Sequence, residues 1–360
     1  MLTAYPAIGG PLPKLAPLVS DGLRRCGCDV MVEGWSAHHA GHERLAVKLV
    51  GRTADLMRVH RRIRAWRPEV VYVATAHNWP GLLRDLPLAL SVRRGRPPLV
   101  LHLHGSECDR LGLPGQRIFT VLSRLLVRRA SSVMLLSTEE LRSWRRACPQ
   151  VDFGVVANPF VAPQVDHQRQ ARPQADADSR TPTLLTVARL IPEKGVFDLL
   201  DALAIVRRRR PCRLIVAGTG PAREDLIRRI AALKLDDAVE LRGYLSGREL
   251  EDAYRDADLF VLPTYHPEGL PLSVMEAMGY GLPIVTTPTR GLADQLVARE
   301  HALFVPPRDP QALAQAIEQL LADDALREDM AEANIARVAE FAPERVVPRY
   351  AEILRSVVAR

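Results

Sequence analysis

A chain of 360 residues with 47% hydrophobic content can bury more than one core, and at about 100 to 200 residues per domain it reads as two domains. Five scattered cysteines (Cys26, Cys28, Cys108, Cys148, Cys212) without C-x-x-C spacing exclude a zinc or redox motif and point to a reduced, cytoplasmic chain; no apolar run is long enough to span a membrane and no basic-then-apolar leader follows Met1. The net charge of +7 is uneven, because residues 1–180 hold 26 Lys/Arg against 15 Asp/Glu, a surplus of +11 that leaves −4 for the rest; such a half attracts nucleic acid, anionic lipid or phosphorylated ligands alike.

Short β-rich runs at 29–33, 70–74, 99–103, 132–136 and 154–157 alternate with helical patterns, as in a parallel sheet wound by helices. A buried first strand is expected before the Gly9-Gly10 turn, yet only about eight residues precede it, which leaves two alternatives open: a start that lies upstream, or a short edge strand that suffices. A polar stretch at 163–182 has no apolar period and reads as a linker. The alternation resumes at 184–188, 213–217, 239–242, 259–262, 283–286 and 303–305, followed by helices over 311–322, 326–341 and 345–358. The fold class is therefore α/β, with two doubly wound parallel sheets.

Ligands of such sheets bind beyond the carboxyl ends of the strands. After the strand at 184–188, Arg189 and Lys194 place a planar fork and a point charge ahead of a helix starting near Val196, which suits diphosphate oxygens but also describes two surface cations. After 259–262 comes a Gly- and Pro-rich loop with Glu268, Gly269 and Leu270, and then a helix with Pro271 as its first residue and Glu276 one turn in. A helix start of this kind binds phosphate and a carboxylate can grip ribose hydroxyls; the alternative is a loop acid and a first-turn acid favoured by the helix dipole. Gly218-Thr219-Gly220-Pro221, with a helix opening at Pro221, reads either as a phosphate-approaching turn or as a tight turn needing positive φ, and Gly9-Gly10 is similar. In the first half, His102 and His104 share one side of a strand and His104 ends it; a strand histidine is more often structural. Two D-x-D patterns, Asp176-Ala177-Asp178 in the linker and Asp256-Ala257-Asp258 ahead of its strand, are badly placed for a metal with a sugar diphosphate, so neither metal nor cofactor is expected.

Taken together these residues resemble the retaining glycosyltransferases of family 4, whose E-x7-E motif is matched by Glu268 and Glu276. Gly9-Gly10, His104-Gly105, Asn158-Pro159, Arg189 and Lys194, Gly218 to Pro221, Gly243-Tyr244 and the run from Glu276 to Pro283 fall in family order over nearly the whole chain. The resemblance implies two facing Rossmann-like domains of the GT-B kind: an acceptor-binding domain at 1–162, a nucleotide-sugar-binding domain at 183–341, and a C-terminal helix at 342–360 crossing back to the first. It implies transfer from a nucleotide diphosphate-sugar to a glycan or lipid-linked acceptor, as in bacterial polysaccharide or glycolipid synthesis. By position, Arg189 and Lys194 hold the diphosphate, Glu276 the ribose and Glu268 the donor sugar, with Gly269, Leu270, Gly218, Gly9 and Gly10 lining the nucleotide-sugar site and His104 meeting the sugar. The sequence departs from the pattern where relatives often read Gly-Gly-x-Pro-Glu: here it is Arg290-Gly291-Leu292-Ala293-Asp294.

An epimerase of the same fold would not be expected to match E-x7-E with these neighbours, and a phosphorylase would need a lysine poised to hold pyridoxal phosphate and usually a much longer chain. A nucleic-acid-binding role for the +11 half lacks basic residues interleaved with aromatics, so nucleic acid is not expected as a partner. Two basic segments, 52–67 and 117–129, the second with apolar residues beside its arginines, point instead to an anionic membrane surface.

Overall fold

The computed structural model describes residues 1–3, 11–35, 45–92, 97–164, 181–267 and 269–359. Contacts divide the chain into two units, Met1–Phe160 with Pro267–Gly269 and Phe341–Arg360, and Val161–His266 with Leu270–Glu340. Gly9, Gly10, Glu268, the Asp176 and Asp178 pair and most of the expected linker lie outside the described residues.

In the first unit, strands β1 (Leu2–Thr3), β2 (Glu33–Gly34), β3 (Val71–His77), β4 (Leu99–Ser106), β5 (Ser132–Leu135) and β6 (Phe153–Val155) form a parallel sheet in the order β2-β1-β3-β4-β5-β6. Side chains alternate between two buried faces, as a parallel sheet covered on both sides requires. Val71, Val73, Leu99, Leu101 and Leu103 pack under helices α2 (Leu45–Trp66), α3 (Trp79–Ser91), α4 (Arg117–Arg129) and α5 (Thr138–Ala147), where Phe119 and Trp144 are fully enclosed. Tyr72, Ala74, Val100 and Met134 face the other way, onto α1 (Pro11–Arg25) and the C-terminal helix Pro343–Val358. That face also receives His102, by the alternation of β4.

One expectation for this unit changes: the strand placed at 29–33 pairs only from Glu33, through Leu2↔Glu33 and Thr3↔Gly34 with β1. The short β1 lies inside the sheet, between β2 and β3, as a buried first strand and not at an edge.

In the second unit, β7 (Thr183–Val187), β8 (Arg213–Ala217), β9 (Val239–Gly243), β10 (Leu259–Leu262), β11 (Ile284–Thr286) and β12 (Leu303–Phe304) run parallel in the order β12-β11-β10-β7-β8-β9. Helices α6 (Val196–Val206), α7 (Arg223–Leu233) and α11 (Pro310–Ala322) seal one core against Leu184, Leu214, Val216, Leu259, Val261 and Val285. The remaining helices are α8 (Gly247–Asp256), α9 (Leu272–Gly279), α10 (Gly291–Gln295) and α12 (Asp324–Val338), with α9 packed on α12. Each proline expected to open a helix sits just before it instead: α7 starts at Arg223 after Pro221, and Pro271, at φ −60° and ψ 139°, is the cap residue of α9. Each unit is thus a Rossmann-like doubly wound sheet.

Asp258 has a structural partner at the amino ends of the strands. Its carboxylate accepts from the Thr183 amide at 2.7 Å, while its own amide donates to the Thr183 carbonyl at 2.8 Å, which ties β10 to β7. Asp258→Ala strips a half-buried amide of its charged acceptor, so urea denaturation is expected to show a loss of about 1 to 3 kcal/mol; an unchanged midpoint would contradict this role.

Candidate functional site

The order of the second sheet reverses between β7 and β10, since the chain winds outward through β8 and β9 and then returns to the other side of β7. Loops at such a reversal leave toward opposite faces and open a crevice at the carboxyl ends of the strands. Residues 188–195 follow β7 and residues 263–271 follow β10. Arg189, Lys194, Leu270 and Glu276 of this unit therefore come to one rim, although 87 positions separate the first from the last.

The two loops are bound to each other. Tyr265 N donates to the Glu193 carbonyl at 2.9 Å and Thr264 Oγ1 reaches the same oxygen at 3.3 Å. Gly195 sits at φ 71°, and a Cβ there would lie 2.2 Å from the Pro263 carbonyl oxygen, so only glycine allows this approach. On the other side of β7, a Cβ on Gly218, at φ 143°, would lie 1.8 Å from the Ala188 carbonyl oxygen. Packing of one strand end on the next therefore accounts for Gly218 without a ligand. Leu190 N, bonded to Thr219 O at 2.9 Å, completes the framework that carries Arg189, whose side chain is exposed.

Glu276 lies on α9 as its fifth residue, and its carboxylate accepts from the Tyr254 hydroxyl at 2.8 Å. Tyr254 is fully buried in α8 and stacks on Tyr280 with ring centroids 5.2 Å apart. Burial, and after it the neighbouring Glu276 charge, raise the phenol well above its ordinary range, so it stays a donor. Tyr254 was not legible as a site residue, since no spacing links position 254 to position 276. No side chain caps the start of α9. Gly269 groups with the first unit, together with Pro267.

Arg290 follows β11 with its side chain buried and its backbone at φ 43°, ψ −117°. That region favours glycine, and holding an arginine in it costs on the order of 1 to 3 kcal/mol. Among the described residues no group of three His, Cys, Asp or Glu is placed to hold a metal.

In the first unit, His104 is partly exposed near the carboxyl end of β4, and His102 is fully buried beneath it with ring centroids 3.9 Å apart. Tyr72 Oη meets His102 Nδ1 at 2.7 Å. Burial lowers the His104 imidazole to about 3, with the Asn158 side chain acting in the other direction; burial and then His104 hold His102 well below its ordinary value. Both rings are therefore neutral hydrogen-bonding groups at neutral pH. His77, between Ser106 at 3.0 Å and Ser123 at 2.8 Å, is likewise lowered to about 3, chiefly by burial and then by Arg110.

A family model described as "Glycosyl transferase 4-like domain" matches residues 9–159, and one described as "Glycosyl transferases group 1" matches 167–337. The chain is 33% identical over 253 residues to an alpha-D-kanosaminyltransferase of Streptomyces kanamyceticus, covering 65% of this chain and 64% of that one. It is 30% identical over 290 residues to a glycogen synthase of Mycobacterium tuberculosis, covering 76% and 65%. The matched region spans less than two thirds of these curated relatives. Among solved structures, a sucrose-phosphate synthase from Thermosynechococcus elongatus superposes with a TM-score of 0.76 at 20% identity, covering 98% and 94% of the two chains. Anabaena HepE in complex with UDP-glucose gives 0.73 at 20% identity, covering 99% and 98%.

The depressed imidazoles make the fold acid-sensitive. A histidine with a folded value near 3 and an unfolded value of about 6.5 binds its proton only on unfolding throughout that interval, so stability is full above about pH 6.5 and falls as pH drops toward 3. The fall in melting temperature between neutral pH and about pH 4.5 is expected to be smaller in His77→Gln than in the wild type; equal falls would contradict the assignment.

Proposed function

This chain belongs to the glycosyltransferases that join a glycosyltransferase 4-like domain to a group 1 domain in the GT-B fold, and on that premise we propose that it moves a sugar from a nucleotide diphosphate-sugar to an acceptor hydroxyl with retention of anomeric configuration. The observation that carries the reading is the gathering of Arg189, Lys194 and the uncapped start of α9 at the strand-order reversal of the second unit. Two cations and a helix start suit one diphosphate. The HepE neighbour holds UDP-glucose, which supports a nucleotide-sugar donor.

In this proposal Arg189 and Lys194 stabilise the charge that grows on the departing diphosphate, an electrostatic role that forms no covalent intermediate. Glu276, oriented by the Tyr254 hydroxyl, accepts from paired ribose hydroxyls. Glu268 and the Gly269 and Leu270 backbone hold the donor sugar. The neutral His104 donates to or accepts from a sugar hydroxyl, which an imidazolium, having lost its acceptor nitrogen, would do only as donor. Gly9 and Gly10 keep their proposed place in the nucleotide-sugar site, the cations stand in for a metal, and the acceptor, a glycan or a lipid-linked glycan, belongs to the first unit.

A peripheral place at the inner face of the cytoplasmic membrane is proposed with it, on one specific observation. At the start of α4, Ile118 is 69% and Val121 61% exposed beside the exposed Arg117, while Phe119 and Leu126 of the same helix are core. The segment at 52–67 contributes less charge than its composition suggests, because Arg58 and Arg62 pair with Glu33 and Asp55 inside the unit. No described helix is long and apolar enough to cross a membrane.

Arg189→Ala and Lys194→Ala are each expected to slow sugar transfer by about 100- to 1000-fold, the usual cost of one transition-state contact, with melting temperature nearly unchanged because neither side chain is buried. Near-normal turnover in both would remove the diphosphate assignment. For the membrane proposal, sedimentation with vesicles of rising anionic lipid content should carry the protein down at low salt and release it at high salt. Protein that stays in the supernatant at every composition would end it.

A further inference from the structure

The strand order of the first sheet also reverses, between β1 and β3, and a buried ionic cluster lies beside that reversal. Trp35 follows β2 and its amide donates to the Thr3 carbonyl at the end of β1, while Thr75 is on β3. Between them stands Asp85, from the second turn of α3, with a side chain only 2% exposed. Its Oδ1 accepts from the Trp35 indole at 2.7 Å and from Arg84 Nε at 2.7 Å; its Oδ2 accepts from Thr75 Oγ1 and from Arg84 Nη2 at 3.0 Å.

That geometry fixes the arginine as firmly as the acid. The Asp85 carboxylate takes two donors on each oxygen, and Arg84 gives it the Nε and Nη2 edge of the guanidinium in a bidentate pair, with Nη2 also bonded to Thr75 Oγ1. Three of the five N–H donors are thereby used. Both N–H groups of Nη1 have no partner among the described residues, and the side chain keeps 17% exposure. A cation needed only to neutralise Asp85 would not require a planar fork with one end left over. We propose that Arg84 is an oxyanion-binding residue at the crevice of the first unit, with Asp85 as its positioning residue, and that the ligand taken there carries a phosphate or a carboxylate.

The word "acceptor" for that ligand rests on the glycosyltransferase reading; the anion site does not. An enzyme whose donor already brings a diphosphate to the second unit would then select, in the first, an acceptor that is itself anionic, and the charge surplus of residues 1–180 favours such a ligand at longer range.

Removing Arg84 alone strands a buried carboxylate and threatens folding. The informative variant is therefore Arg84→Leu/Asp85→Asn, which deletes both charges and leaves an amide for Trp35 and Thr75, with Arg84→Lys as a second variant. Wild type and variants are titrated calorimetrically with inorganic phosphate and with acetate at constant ionic strength. The expected result, in a background carrying Arg189→Ala and Lys194→Ala so that the proposed diphosphate site does not take up the ion, is one saturable anion per chain whose affinity falls by about tenfold or more in the double variant and by less in Arg84→Lys, whose ammonium keeps the charge and loses the fork. Preference for phosphate or for acetate identifies the anion. In that background, equal binding with and without the Arg84→Leu/Asp85→Asn change, or no binding of either ion while Arg84 and Asp85 are kept, overturns the proposal. The same proteins with Arg189 and Lys194 in place, titrated with UDP, GDP and ADP, separate the two readings: nucleotide binding unaltered by the double variant leaves the donor site intact, whereas no nucleotide binding in any of them counts against the glycosyltransferase reading and leaves the anion result standing.

Discussion

A parallel strand hands the chain to a right-handed crossover, so successive strands step in one direction until the chain returns to the first strand and steps the other way. At that return the helices fall on opposite faces and the loops part, which leaves backbone and side chains facing a gap. In the second unit the return lies between β7 and β10, and in the first between β1 and β3. Every group given a chemical role in the second unit depends on this constraint. Arg189 and Lys194 have no local reason to lie near Glu276; the reversal brings the loops after β7 and β10 to one end of the sheet, and the bond from Tyr265 to Glu193 ties them together.

Glycine is the second requirement of that arrangement. At Gly195 and Gly218 the carbonyls of Pro263 and Ala188 occupy the space a side chain would need, so these glycines build the rim. Arg290 is the opposite case, a large cation held where the backbone favours glycine and buried next to the carboxyl end of β11. Strain of this kind persists only where the surroundings enforce it.

The sheets were legible because parallel strands are apolar on both faces, as the runs at 99–103 and 259–262 show, and the helices because their apolar period is a local signal. Arg189, Lys194 and Glu276 could be singled out by position, each lying just beyond a strand. What was not legible depends on contacts distant in sequence. Tyr254 acts across 22 positions on Glu276, and Trp35 across 50 on Asp85. Arg84 and Asp85, adjacent in an ordinary amphipathic helix, carry no motif. The place of β1 was open for a different reason: two described residues contain too little pattern to tell an interior strand from an edge.

The first unit buries neutral imidazoles and the carboxylates of Asp85 and Glu140, while the second unit exposes Arg189 at its crevice. These are different solutions to charge. A buried group must have its partners fixed in the fold, whereas a cation that waits for a diphosphate must remain hydrated until the ligand arrives. In the proposed function a nucleotide diphosphate fills the reversal between β7 and β10. Hydrogen exchange followed by mass spectrometry, with UDP, GDP and ADP tested in turn, addresses it directly. The account predicts that at least one of them slows exchange in peptides covering 188–195 and 263–276 and leaves the amino ends of the same strands unchanged. Protection centred elsewhere, or none with any of the three, would contradict it.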